Sequence, residues 1–263
     1  MRICIGRHVY GLAAIAFGVI ALVWGDFNTW QQIRPLGNIA HRDVLLFVFA
    51  AVEILGGIAI QSAKTARYGA AMLGALYLVF ALLWIPIISA KLAVFDGWGN
   101  FFEQFSLVSA ALVIYGTAKG HNSESAAWLS RAGCKLFGVC VVSFTLEQLF
   151  YLPETAAFVP KWIPLGQMFW AITTTVAFAL AAVAILSGRA ALPASRLLTA
   201  MVLLFGLLAW LPMLFAAPHK LFNWAGNAEN LAIAGAAWVV ADFFQAHGRH
   251  TAAEMETPSL VAG

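Results

Sequence analysis

The run Phe137-Gly-Val-Cys-Val-Val-Ser-Phe-Thr-Leu-Glu-Gln-Leu-Phe-Tyr-Leu152 decides the fold. An apolar run of this length reads as a membrane-buried helix. Glu147 stands in the middle of this run. A carboxylate at the centre of a bilayer costs about 2.5 kcal/mol or more, so it needs a partner, a water path or a proton. Glu53 poses the same problem within the apolar stretch Val44–Ile60.

The rest of the chain agrees with a membrane reading. Of 263 residues, 62% are hydrophobic and 10% charged, and the mean hydropathy is +0.84. A soluble globular domain carries about 25% charged residues. Outside the apolar runs there are only short connections and a polar tail after Gln245, so no separate soluble catalytic domain fits. A formal net charge of +3, widely scattered, does not describe a nucleic-acid binder. Cys4, Cys134 and Cys140 form no CxxC pair and no thiol-relay or disulfide pattern. Arg2 and Arg7 precede an apolar stretch as in a signal peptide, but no small-residue cleavage site follows, so a retained first helix is expected.

Runs of spanning length fall at Val9–Gly25, Val44–Ser62, Tyr68–Ala90, Phe101–Thr117, Cys134–Leu152, Gln167–Ser187, Arg196–Ala216 and Asn227–Phe244. The expected fold is all-α: a polytopic membrane protein of eight transmembrane helices arranged as two parallel four-helix repeats. The first unit is 1–118, a linker covers 119–131, the second unit is 132–246, and 247–263 reads as a disordered tail. Lys and Arg set the orientation. The N-terminus, the loops after the second, fourth and sixth runs and the tail carry ten, against five (Arg34, Arg42, Lys91, Lys161 and Lys220) on the other side. The positive-inside rule then puts both termini in the cytoplasm.

The duplication is visible in residues. Trp84, Pro86, Trp98 and Glu103 match Trp210, Pro212, Trp224 and Glu229 at a single offset of 126, and Gly11 and Phe17 match Gly138 and Phe144 at 127. Four runs per unit give both units one orientation. The outward connections Asp26–Asp43, Lys91–Asn100, Pro153–Gly166 and Pro218–Gly226 hold most of the loop Trp, Pro and Asn, so a site would open on that side.

Two constellations stand out. The outer-face motif, Trp98, Asn100 and Glu103 with Trp224, Asn227 and Glu229, pairs one carboxylate per half for a cation or a proton relay. The competing reading is structural. Asn100 and Glu103 have capping-box spacing at a helix start, an acid there suits the helix dipole, and Trp belongs at the membrane interface. The second set, Glu147, Gln148, Glu53 and Tyr151, is the proton-relay or ligand-binding candidate. Ser143, Thr145, Gln148 and Tyr151 give the Glu147 helix a polar flank, and Gly56 and Gly57 beside Glu53 admit a close backbone. Against function stands a protonated Glu that only ties helices together. Thr173, Thr174 and Thr175 read as packing polarity. The histidines lie at edges, in loops or in the tail, so bis-His haem is not expected and no metal site is proposed.

The segment Gly138 to Trp170, with Phe-Thr-Leu-Glu-Gln-Leu-Phe150, Pro153-Glu-Thr-Ala156 and Val159-Pro-Lys-Trp-Ile-Pro164, resembles the DoxX-like family of four-helix membrane proteins. The later Trp-Leu-Pro212 and Asn-Trp-Ala-Gly-Asn-Ala-Glu229 segments fit the same pattern. The chain thus resembles a fused tandem of that unit. The resemblance implies an accessory subunit of a quinone-linked redox complex in the bacterial inner membrane, with possible quinone as its only cofactor and an oxidoreductase subunit as partner. Family members often carry Lys or His near the outer end of the unit's first helix, whereas this chain has Gln148 and Ala21 there, shifting emphasis to Glu147. The alternatives are a proton-coupled small-solute transporter and a scaffold without ligand.

Overall fold

A computed structural model describes residues 4–25, 35, 40–118 and 123–256, with side chains through residue 248. The described residues are almost wholly helical and contain no strand. Helices run over Ile5–Trp24 (α1), Arg42–Gln61 (α2), Ala66–Leu83 (α3), Ile85–Ala90 (α4), Phe95–Thr117 (α5) and Glu124–Phe150 (α6). Leu152–Phe158 (α7), Gln167–Ser187 (α8), Ala191–Phe205 (α9), Leu211–Ala216 (α10) and Leu221–Glu256 (α11) follow. Among the described residues six segments are long and apolar enough to cross a bilayer: α1, α2, α3 with α4, α6, α8, and α9 through α10. The chain therefore has the helical, apolar pattern of an integral membrane protein.

Helix α5 (23 residues) and α11 (36 residues) are long enough to span but hold no comparably apolar stretch of 18 residues. Their place explains it. Helix α5 packs on α3, α6 and α11, and α11 packs on α1, α9 and α5. The remaining neighbours, α1 on α2, α2 on α3, α6 on α8 and α8 on α9, wrap around this pair. The two innermost helices meet protein rather than lipid, so they tolerate polar residues. Their buried faces are small: Ala232, Ala234, Ala236 and Ala237 on α11, Ala110 and Ala111 on α5. In a bilayer, where apolar burial gives little drive, such residues let backbones approach and gain dispersion contacts.

Prolines break two of the long runs. Pro86 lacks the N–H that would bond back one turn, and the helix is interrupted at Trp84. Pro212 has the same effect on α9, where Gly206–Trp210 relaxes into a π-helical turn before α10. One close crossing rests on glycine: a Cβ on Gly57 would lie 2.5 Å from the Gly11 carbonyl oxygen, which seats α1 directly on α2. The neighbouring Gly56 admits Leu73 of α3. Helix α1 contributes Tyr10, Ala13 and Phe17 to the core.

Several boundaries differ from expectation. Helix α5 starts at Phe95 and α11 at Leu221, so much of the expected loops Lys91–Asn100 and Pro218–Gly226 is helical. The expected linker is helical from Glu124, and α11 continues past Phe244 to Glu256. Residues 119–122 of the linker, 257–263 of the tail, and 26–34 and 36–39 of the first outward connection lie outside the described residues.

Candidate functional site

Helix α5 enters the fold with Phe-Asp-Gly-Trp-Gly-Asn-Phe-Phe-Glu103, and α11 with Leu-Phe-Asn-Trp-Ala-Gly-Asn-Ala-Glu229. Each glutamate stands eight residues from the first residue of its helix, about 12 Å along the axis at 1.5 Å per residue. The capping-box reading of Asn100 and Glu103 is therefore corrected: the cap is Val94, and both residues lie inside the helix. The Asn100 amide donates to the Asp96 carbonyl at 2.7 Å. Asn227 donates to the carbonyls of Trp210 (2.9 Å) and Asn223 (2.8 Å), tying the π-helical turn to α11. The tryptophans close the connections that precede them. Trp98 Nε1 donates to the Leu92 carbonyl at 3.3 Å and Trp224 Nε1 to the Pro218 carbonyl at 2.8 Å, each six residues back. Trp170 does the same to Pro164 at the start of α8.

The two repeated carboxyl groups face one another. Glu103 and Glu229 lie within hydrogen-bonding reach of each other, and Gln104 Nε2 donates to Glu229 Oε1 at 3.3 Å. A hydrogen bond between two carboxyl groups requires a proton on one of them. Both side chains are half-buried.

Glu147 joins them from α6. It is half-buried and three residues from Phe150, so it lies about 5 Å below the end of its helix. Its carboxyl group occupies the space a side chain at position 99 would need: a Cβ on Gly99 would meet Glu147 Oε1 at 2.5 Å and Oε2 at 2.8 Å. Glu147 interacts electrostatically with Asp96, Glu103 and Glu229. Gln148 lines the same cavity and is tied to α8, where its Oε1 lies 3.0 Å from Thr175 Oγ1 and 3.4 Å from Thr174 Oγ1. Tyr151 accepts the Asp96 backbone N–H at 3.1 Å, joining the end of α6 to the start of α5.

Asp96, Glu103, Glu147, Gln148 and Tyr151 line one cavity of about 420 Å³, which extends from the end of the bundle where α6 finishes and α5 begins to Val202, Asn230 and Ile233. Asp96, Glu103, Glu147 and Glu154 give its acidic wall, and Phe144, Tyr151, Phe158, Phe178 and Phe205 its aromatic wall. No Lys, Arg or His borders it among the described residues. A second hollow of about 400 Å³ lies on the outer surface of α5 and α6, lined by Phe95, Trp98, Val139, Ser143, Leu146 and Tyr151. The Ser143 hydroxyl is buried there without a hydrogen-bond partner.

Glu53 does not belong to the cavity. It is 1% exposed at the middle of α2, where its charge is felt by Tyr10 of α1 and Tyr77 of α3. Tyr10 donates its hydroxyl to the Leu107 carbonyl at 2.9 Å. The structure thus joins Glu147 to Glu103 and Glu229, and leaves Glu53 in a separate buried cluster.

Asp96, Gly99, Gln104, Glu154, Phe158 and Asn230 were missed. One signal was available for two of them: the residue after each repeated glutamate, Gln104 and Asn230, is an amide at the same offset of 126. Asn230 donates to the Val202 carbonyl at 2.9 Å and fills the space above Gly206. Among the described residues no group of His, Cys, Asp and Glu is placed to hold a metal ion. No family model, no curated protein and no solved structure matches the chain.

Proposed function

We propose that this is a proton-coupled membrane transporter or proton relay whose loading site is the acidic cavity, with Glu103 and Glu229 as the shared-proton pair and Glu147 as the gate group at its mouth. The observation that carries the reading is the meeting of the two repeated carboxyl groups on the innermost helices, below a cavity open to one side. Carboxyl groups this close cannot all be charged in a medium of low dielectric, so proton number and cation occupancy are linked there.

In this reading α5 and α11 are also spans, giving eight, and the two four-helix units lie parallel about an axis near Glu103 and Glu229. The shared offset, the Pro-broken third segment of each unit and the matched depth of the two glutamates support that. The basic residues place both termini in the cytoplasm, so the cavity opens outward from the bacterial inner membrane.

The test is a rapid pH step applied to proteoliposomes on a capacitive electrode. Wild type gives a transient displacement current, and the Glu103→Gln/Glu229→Gln variant, equally well inserted, loses most of it. An unchanged current refutes the site.

A second reading keeps the accessory, quinone-linked role expected from the DoxX-like resemblance. The specific support is the hollow between the start of α5 and the end of α6, where the Ser143 hydroxyl and Tyr151 offer hydrogen bonds to an amphiphile's head. It predicts that Ser143→Ala or Tyr151→Phe alters quinol turnover in membranes without changing protein level.

A further inference from the structure

The acidic cavity has two walls of different chemistry. Protons explain carboxyl groups, but they do not explain a chamber of about 420 Å³ faced by five aromatic rings. A small-molecule site typically starts at about 300 Å³, mostly apolar, with a few convergent polar groups. The charged groups here are all of one sign, beside the neutral Gln148, Thr155 and Asn230. Asp96 and Glu103 face it from α5, Glu147 from α6 and Glu154 from α7, with Glu229 of α11 behind Glu103. The elements that complete the wall, α8, α9 and α11, bring Phe178, Val202, Phe205, Asn230 and Ile233, which carry no charge. Such a chamber repels anions, and its aromatic faces reward a cation that sheds water, since a ring's negative face attracts an ammonium within about 6 Å.

We infer that the cavity is a binding site for a hydrophobic organic cation, an amine or quaternary ammonium whose apolar part rests on the phenylalanines and whose charge lies against Glu147 and Glu103. This deepens the transport reading and rests on it. A metal ion suits the site less well, because no ligand set converges among the described residues. The cation and the protons occupy the same carboxylates, so loading one expels the other, which is the exchange a proton-coupled carrier needs.

The test is equilibrium dialysis of radiolabelled benzyltrimethylammonium against purified protein in uncharged detergent. Its fixed charge cannot be titrated away. The expected result is saturable binding of one cation per chain that weakens on acidification and is not displaced by neopentylbenzene, the uncharged carbon isostere. Glu147→Gln weakens it at least tenfold. Phe158→Leu, which keeps the apolar surface but removes a ring at the mouth, weakens it several-fold. Failure of the wild type to bind, displacement by the neutral isostere, or binding indifferent to both substitutions overturns the inference. The pH-step current separates the outcomes. If it persists while the cation fails to bind, the proton site stands without this ligand; if both are absent, both readings fall.

Discussion

Glu103 and Glu229 stand at the same depth, eight residues into α5 and α11, and their carboxyl groups meet where the two helices touch. Two acids on the two innermost long helices, which the other segments surround, are an arrangement that packing alone does not require. Gln104 holds Glu229 in place, and Glu147 completes the group from above.

In the proposed function the pair shares a proton, so single and double substitutions should differ. Glu103→Gln or Glu229→Gln alone keeps a carboxyl–amide hydrogen bond and folds normally. Glu103→Leu removes that bond and leaves Glu229 facing an apolar group, at a cost of about 1–3 kcal/mol. Thermal unfolding in detergent should rank the variants in that order.

Gly99→Ala tests the seat of Glu147. In most helix interiors this change stabilises by about 0.5–1 kcal/mol, but here the new Cβ would lie 2.5 Å from Glu147 Oε1. The flexible carboxylate moves aside and the fold survives. We expect little change in unfolding temperature and a clear change in the pH-step current. A normal current with normal stability would show that the position of Glu147 is unimportant.

Gly57→Ala should be different in kind. Its Cβ would meet backbone, the Gly11 carbonyl oxygen at 2.5 Å, which cannot swing away. Overpacking of this type costs about 1–3 kcal/mol. Gly74→Ala, whose Cβ would meet only the Ala111 methyl group at 3.1 Å, is the control and should be milder. Equal unfolding temperatures would contradict the close crossing of α1 and α2.

Glu53→Gln should leave the cavity untouched, because Glu53 belongs with Tyr10 and Tyr77 rather than with Glu147. The pH-step current of Glu53→Gln should match wild type, and its effect should add to that of Glu147→Gln without coupling. A coupling near 1 kcal/mol would mean that the two acids communicate.

Much of this was legible in the chain. Apolar runs located the long segments, since a bilayer demands length and continuity, and the offset of 126 pointed to Glu103 and Glu229. Helix starts were less legible. Asp96 to Asn100 looks like a loop because it is rich in Gly, Asp and Asn, yet it forms the first turns of α5, where a shielded helix needs no apolar surface. The union of Glu147 with the repeated pair was hidden for another reason: it depends on α6 packing against α5 and on a missing Cβ at Gly99. Nothing in the spacing of Glu147 and Glu53 separates acids that share a cavity from acids that do not.

The most direct measurement of the central claim is infrared spectroscopy of the reconstituted protein near neutral pH, in light and in heavy water. A shared proton between Glu103 and Glu229 predicts a carboxylic-acid C=O stretch that shifts on deuteration and disappears in the Glu103→Gln/Glu229→Gln variant. A spectrum in which that band is absent from wild type, or persists unchanged in the variant, would contradict the account.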